Sequence, residues 1–127
     1  MSMKSLSYGK PPYRVWMEAR EWGKDLQVLI GGGTAPHIGA VAVSYWDEGI
    51  LQTKRIQLPH HKEGELAEKI SERLTSFLKR TVSVSIGIHI DHATQEEILL
   101  LVKNTEELVD RYIEMISSDG TRGSSFM

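Results

Sequence analysis

The sequence contains no cysteine, and this absence excludes several kinds of chemistry at once. Without a thiol the chain forms no disulfide, has no thiolate nucleophile and offers no cysteine ligand to zinc. Lysine and arginine number 15 against 17 aspartate and glutamate residues, so the formal net charge is −2. That balance argues against a protein that binds nucleic acid through a basic surface.

Long hydrophobic segments are also missing. No apolar run approaches the ~20 residues of a membrane-spanning helix, and the first residues carry no apolar region of a signal peptide. We therefore expect a cytoplasmic protein with no membrane partner. A length of 127 residues with 40% hydrophobic residues fits a single domain. Patterned sequence spans 13–116, whereas 1–12 and 117–127 are rich in Ser, Gly and Pro and are predicted to be flexible tails.

The patterned region switches between strand and helix periodicity. Alternating or short apolar segments predict five strands, at 13–21, 26–30, 38–46, 51–58 and 81–90. Apolar residues at helical spacing predict one helix over about 62–80, and a capping box from Thr94 to Glu97 begins a second that reaches residue 116. The order β-β-β-β-α-β-α predicts an α+β fold. We expect a two-layer sandwich, with an about five-stranded mixed sheet and two helices packed on one face.

The other face of the predicted sheet is unusually apolar. It carries Trp16, Leu29, Val41, Val43 and Tyr45. Side chains of this kind are rarely left in water as one patch. We therefore expect a ligand or a second subunit against this face, which makes a homo-oligomer the expected state.

All five histidines fall in three short segments, TAPHIGA, LPHHKEGE and IHIDHAT. Each segment borders the end of a predicted strand. If these strand ends share one edge of the sheet, His37, His61 and His89 meet in one pocket. We predict such a pocket, with the glycine run at 31–33 forming its rim.

The glycine run precedes the first histidine as GGGTAPH. It lacks the lysine of a P-loop, it departs from G-x-G-x-x-G at Pro36, and it leads into a strand rather than a helix. Its amides could still form an anion-binding nest, and the alternative is a plain turn. We predict that residues 31–36 bind a phosphate, and that Gly32→Val weakens this binding with little loss of stability.

A metal site is a second interpretation of the same histidines. His89 and Asp91 are two residues apart on a strand, so both project to one face. With His37 and His61 they would form a mixed imidazole and carboxylate set that suits a divalent metal. Asp91 could instead bind turn amides ahead of the second helix. General acid or base chemistry by these groups with Glu63 is a further possibility, but no spacing identifies a reaction.

Together the three histidine segments resemble the small prenylated-flavin chaperone-like family, whose members accompany decarboxylases of the gallate and hydroxybenzoate type. The resemblance covers residues 13–116 and rests on PHIGAVA, HKEGE and GIHID. The family pattern reads L-P-G-H-K and G-I-H-I-D-N-A-T. Here His60 stands in place of the glycine, and His92 stands in place of the asparagine.

This resemblance implies an accessory protein, more than an enzyme, that binds or delivers prenylated FMN or FMN for a UbiD-type decarboxylase subunit. The predicted cofactor-binding residues are Gly31, Gly32, Gly33, Thr34, His37, His61 and Lys62. Two hypotheses compete with it. One is a small metal-dependent or acid/base enzyme that uses His37, His61, His89 and Asp91, and the other is a purely structural oligomerisation module.

Overall fold

The computed structural model describes residues 2–118 as six strands and two helices. In chain order the elements are β1 (Met3–Tyr8), β2 (Val15–Trp22), β3 (Asp25–Gly33), β4 (Ala40–Asp47), β5 (Ile50–Gln57), α1 (Gly64–Leu78), β6 (Val82–His89) and α2 (Gln95–Ser118). None of the helices in this part of the chain is both long and apolar enough to cross a membrane.

The six strands form one mixed sheet in the order β1-β2-β3-β6-β4-β5. The β3–β6 pair is parallel, and all other neighbours are antiparallel. Strand β6 therefore lies between an N-terminal three-stranded meander and the β4–β5 hairpin. The predicted α+β fold with a mixed sheet is confirmed, with six strands instead of about five.

Both helices pack on one face of the sheet, as predicted. Helix α1 contacts β4, β5 and β6, and α2 contacts β1 and β2. The core between the layers is continuous, and fully buried side chains come from every part of it, among them Met17, Ile30, Leu74, Ile86 and Leu108. Removal of this apolar surface from water is the main favourable contribution to folding.

The predicted apolar stripe of α2 is buried with one exception. Leu101, Leu108, Tyr112 and Ile116 belong to the core, but Ile98 is 40% exposed. Ile98 lies in the first turn of α2. Its exposure leaves it free to line a surface pocket.

The opposite face of the sheet has no covering layer in the described chain. Trp16, Val41, Val43 and Tyr45 are half-buried there, and Leu29 is 39% exposed. Serines of β6 separate these apolar side chains. The face is therefore mixed in character rather than a continuous apolar surface.

The predicted N-terminal tail is wrong in its central part, because residues 3–8 form β1. This strand pairs antiparallel with β2 along its whole length. Leu6 and Tyr8 pack against the core, and the guanidinium of Arg111 lies 4.8 Å from the centre of the Tyr8 ring. Of the predicted C-terminal tail, residues 117 and 118 complete α2, and 119–127 lie outside the described residues.

Candidate functional site

The histidine segments converge at one end of the sheet because of its topology. Parallel pairing places the last residues of β3 and β6 side by side, and antiparallel pairing brings the start of β4 to the same end. The ring centre of His37 lies 4.5 Å from that of His61 and 5.6 Å from that of His89. The three imidazoles therefore lie close together at this end, although His37 is not among the residues that line the pocket found there.

A pocket of about 220 Å³ opens at this end, between the start of α1, the end of β6 and the start of α2. We call its polar lining residues the rim; they are His60, His61, Lys62, Glu63 and His89. We call its apolar lining residues the floor; they are Leu66, Ile88, Ile90, Ala93, Ile98, Leu101 and Val102. The arrangement suits a ligand with one apolar and one anionic part.

Glu63 is the residue that organises the polar side of this site. It stands at the N-cap of α1, yet its side chain makes no capping hydrogen bond. One carboxylate oxygen accepts the Lys62 amide at 3.0 Å, and the other accepts the Ile88 amide at 3.1 Å. The carboxylate is therefore held in a fixed orientation toward the histidines.

His37, His61 and Glu63 form a compact set, which we call the histidine cluster. Their ligating atoms all lie within 4.8 Å of one another. The imidazole Nδ1 of His61 is 3.8 Å from a carboxylate oxygen of Glu63. The sequence indicated the two histidines, but it gave Glu63 only a general role in proton exchange.

Two glycines make room for the histidine cluster. A Cβ atom on Gly39 would lie 2.6 Å from both carboxylate oxygens of Glu63, and one on Gly87 would overlap the backbone carbonyl of His37. Both glycines are buried. The segment that carries His37 therefore crosses β6 at a distance that only glycine permits at position 87.

His89 and Asp91 form a separate pair. The His89 Nε2 lies 2.8 Å from a carboxylate oxygen of Asp91, whose side chain is 85% exposed. This hydrogen bond is the main cause that lowers the pKa of the Asp91 carboxyl from its ordinary value. The predicted metal set of His37, His61, His89 and Asp91 is therefore corrected, because Glu63 rather than Asp91 joins His37 and His61.

The glycine run is a strand end and not a loop, which corrects the predicted rim. Gly31 and Gly32 are buried in β3, where a Cβ on Gly31 would meet the indole of Trp16 and one on Gly32 would lie 2.8 Å from the Arg14 carbonyl oxygen. Gly32→Val would thus damage the sheet, contrary to our expectation of little loss of stability.

The predicted nest of free amides is absent from this segment. The Gly33 amide donates to the Arg14 carbonyl at 3.2 Å, and the Thr34 and Ala35 amides both donate to the His89 carbonyl, at 2.8 and 3.3 Å. Thr34 and the glycines also lie outside the pocket lining. Of the predicted cofactor-binding residues, His61 and Lys62 line the pocket and His37 lies next to His61.

The two departures from the family pattern share a backbone conformation. His60 has φ of 66° and His92 has φ of 54°, both in the left-handed region. Glycine adopts this region without strain, and asparagine tolerates it better than most residues. The positive φ at these two positions thus explains why the family pattern has glycine at one and asparagine at the other.

Comparison with known proteins places these features in a family context. A family model described as the prenylated flavin chaperone LpdD-like domain matches residues 9–117. Protein LpdD of Lactiplantibacillus plantarum is 25% identical over 101 residues, which cover 76% of this chain and 72% of that protein. A chain from the crystal structure of a chaperone complex for yeast 20S proteasome assembly superposes with a TM-score of 0.59 at 12% identity, covering 93% of this chain and 98% of that one, a likeness of fold alone.

Proposed function

Because the chain belongs to the prenylated flavin chaperone LpdD-like family, we propose that it binds prenylated FMN, or FMN, in the pocket at the histidine end of the sheet and delivers it to a UbiD-type decarboxylase. The chaperone role rests on the family match and on the similarity to LpdD. Binding in this pocket and delivery to that partner are the proposal.

The observation that carries the proposal is the pocket itself, with its apolar floor beneath a rim of imidazoles and Lys62. Sites for small molecules usually combine an apolar lining with a few polar groups and enclose roughly 300–1,000 Å³. At about 220 Å³ this pocket holds only part of a flavin nucleotide. Partial enclosure suits a protein that must give up its ligand.

We expect side chains to bind the anionic part of the ligand. Two amides close to the start of α1, where a phosphate could otherwise bind, are already engaged. Lys62 N donates to Glu63, and Gly64 N donates to the side-chain oxygen of Gln57 at 3.0 Å. The exposed side chains of Lys62 and His60 remain available at the rim, and both can donate hydrogen bonds to a phosphate.

A partner surface adjoins the mouth of the pocket. Ile98, Leu99 and Leu100 are consecutive, and they are 40%, 59% and 39% exposed. Exposed apolar surface can mark an interaction site when it is contiguous. We propose that the decarboxylase subunit docks on this surface, so that the flavin passes between the proteins without entering solvent.

Flavin binding is tested by titrating FMN and prenylated FMN and following flavin fluorescence. Ile98→Asp places a charge at the apolar floor, and aspartate in the first turn of a helix is compatible with the helix dipole. We expect the dissociation constant of flavin from the Ile98→Asp variant to rise by at least about tenfold, because an unpaired charge disfavours an apolar ligand. The matched control is Ile50→Asp, at a residue that is 62% exposed in the β4–β5 hairpin. Equal affinities in the two variants would remove the pocket from the proposal.

Delivery is tested separately with Leu99→Asp. This variant should bind flavin normally but lose association with, and activation of, the decarboxylase apoprotein. Ile56→Asp is the control, because Ile56 is 67% exposed on edge strand β5. Unchanged activation by Leu99→Asp, or its loss in both variants, would contradict docking beside the pocket.

A third part of the proposal is a homo-oligomer formed through the uncovered face of the sheet, which is mixed in character but carries large side chains that are only half-buried. Trp16, Val43 and Tyr45 are half-buried there within one chain, and a second copy would cover them. Light scattering measures the molar mass, and Val43→Lys should shift it to that of the monomer. A monomeric unmodified chain would exclude this assembly and leave the pocket unaffected.

A further inference from the structure

The geometry points to a site for a first-row divalent metal ion formed by His37, His61 and Glu63, next to the flavin pocket. The ligating atoms of these residues lie within 4.8 Å of one another. Two imidazoles and one carboxylate are the protein ligands of His₂Glu zinc sites, which keep a further coordination position open. This site goes beyond the proposed flavin binding and does not depend on it.

Glu63 is held in the way that metal-ligating carboxylates are held. Metal ligands are usually oriented by hydrogen bonds from an outer layer of groups. Here the amides of Lys62 and Ile88 contact one oxygen each, at 3.0 and 3.1 Å. Each oxygen retains a lone pair for another contact.

His37 supplies the second observation. Both of its ring nitrogens are buried, and neither has a hydrogen-bond partner among the residues that the structure describes. Buried polar atoms without a partner are rare and need an explanation. A metal ion on one nitrogen provides a partner that the protein itself does not.

The charge of Glu63 decides between a cation and an anion at this position. A phosphate placed among His37, His61 and Glu63 would be repelled by the carboxylate, whereas a metal cation is attracted to it. The phosphate of a flavin would instead lie toward Lys62 and His60, on the rim of the pocket. The two ligands therefore occupy different parts of the same end of the sheet.

The choice of imidazole ligands indicates the class of metal. Nitrogen ligands suit Zn²⁺, Co²⁺ or Fe²⁺, whereas Mg²⁺ and Ca²⁺ prefer sets made of oxygen. Ligands about 2.0 Å from a tetrahedral zinc ion are separated by about 3.3 Å, so the cluster must close slightly. His61, whose side chain is 29% exposed, has room to move. His61 and Glu63 also line the pocket, so open coordination positions would face it.

The test uses chelator-treated protein with Zn²⁺, measured by competition with a chromophoric chelator, and with Co²⁺, measured by visible absorption. His61→Ala should weaken Zn²⁺ binding by at least about tenfold, which even the loss of an outer-layer contact typically causes. The matched control is His92→Ala, which removes an exposed imidazole that does not line the pocket. It should leave Zn²⁺ affinity and the Co²⁺ spectrum unchanged.

A second variant changes the geometry without removing a ligand. Gly39→Ala places a methyl group 2.6 Å from both Glu63 oxygens, which must therefore shift, so it should lower Zn²⁺ affinity and alter the Co²⁺ spectrum in a folded protein. Equal Zn²⁺ affinity in unmodified protein and His61→Ala, or equal losses in His92→Ala and His61→Ala, would overturn the site. Flavin titrations with chelator present are independent of this result, so failure of the metal site leaves the flavin proposal standing, and the reverse also holds.

Discussion

Two polar clusters lie at the same end of the molecule and differ in how their hydrogen bonds are satisfied. The histidine cluster leaves both ring nitrogens of His37 without a partner in the described chain. The second cluster, which we call the capping cluster, consists of Tyr13, Thr94 and Glu97. The Tyr13 hydroxyl donates to Glu97 at 2.7 Å, and Thr94 and Glu97 exchange hydrogen bonds of 2.9 and 3.1 Å.

The difference supports a structural role for the capping cluster and the proposed metal-binding role for the histidine cluster. In the capping cluster each carboxylate oxygen of Glu97 has a donor, and the helix start is closed by the predicted capping box. These hydrogen bonds lower the pKa of Glu97 and raise that of Tyr13. None of the side-chain polar atoms of this cluster is buried without a hydrogen-bond partner in the described chain. The histidine cluster combines an oriented carboxylate with two buried ring nitrogens that have no partner there, which supports the metal site proposed above.

The largest expected effect comes from Gly87→Ala, which breaks the crossing that positions His37. The added methyl group would overlap the His37 carbonyl, which is backbone and cannot move alone. We expect more than about 4 kcal/mol of lost stability, a size that is exceptional for one substitution. Chemical denaturation measures it. A near-normal free energy of unfolding would show that the His37 segment is not fixed against β6.

Leu108→Ala sets the scale for a residue outside both clusters. Leu108 belongs to α2, and its side chain is fully buried in the core. Its truncation should lower the free energy of unfolding by about 2–5 kcal/mol, because buried apolar surface is lost and a cavity remains. The same denaturation experiment applies. A loss below about 0.5 kcal/mol is typical of surface positions and would be inconsistent with the packing of α2.

Thr94→Ala opens the capping cluster. Loss of an N-cap hydroxyl typically costs about 1 kcal/mol, and the effect should appear in unfolding without any change in metal or flavin affinity. Thr34→Ala is a suitable control, because the Thr34 hydroxyl is exposed and makes only a 3.4 Å contact. If Thr94→Ala reduced flavin or metal affinity, the division between the two clusters would be wrong.

Acid should weaken the capping cluster in a defined direction. Because folding lowers the pKa of Glu97 below its ordinary value of 4.5, its contribution is present above that value and is lost as pH falls through the folded pKa. The stability difference between the unmodified chain and Glu97→Gln should therefore shrink on acidification below about pH 4.5. Parallel pH titrations of unfolding measure this. If the stability difference between the two proteins grew as the pH fell, the assigned direction of the Glu97 pKa shift would be wrong.

The smallest expected effects are at the two left-handed histidines, one beside each cluster. His92→Asn and His60→Gly should each raise the free energy of unfolding by about 0.5 kcal/mol, because both residues suit positive φ better than histidine does. The gain for glycine is reduced by its larger entropy in the unfolded chain. A decrease in thermal stability at either position would indicate that the imidazole makes a contribution of its own.

Sequence periodicity was sufficient for most of the fold, because the layers depend on local patterns. Both helices, their common face and the capping box were predicted from apolar spacing and one Thr–Glu pair. Strand β1 was missed because its MKSLSY sequence has only Leu6 and Tyr8 to indicate burial. Its pairing with β2 is a tertiary effect that no local pattern contains.

The site was predictable to the extent that strand ends are predictable. The convergence of His37, His61 and His89 followed from their positions at element boundaries. The role of Glu63 did not, because its orientation depends on the amide of Ile88, 25 residues away. The glycine run was misassigned to a loop for a related reason. Glycine is generally depleted in strands. Here it is required, because a Cβ atom would be too close to the Trp16 indole at Gly31 and to the Arg14 carbonyl at Gly32.

The central position of β6 has a consequence for how the chain folds. Strands β1, β2 and β3 form one local meander, and β4 with β5 forms one local hairpin, but these units are joined in the sheet only through β6. Its pairing matches Leu26 with Val82, a contact between distant parts of the chain that forms slowly. During synthesis from the N-terminus, the meander and the hairpin cannot join into one sheet until β6 has been synthesised. The end of the sheet that carries the proposed binding site needs β6 and the start of α2, so it is among the last parts of the protein to form.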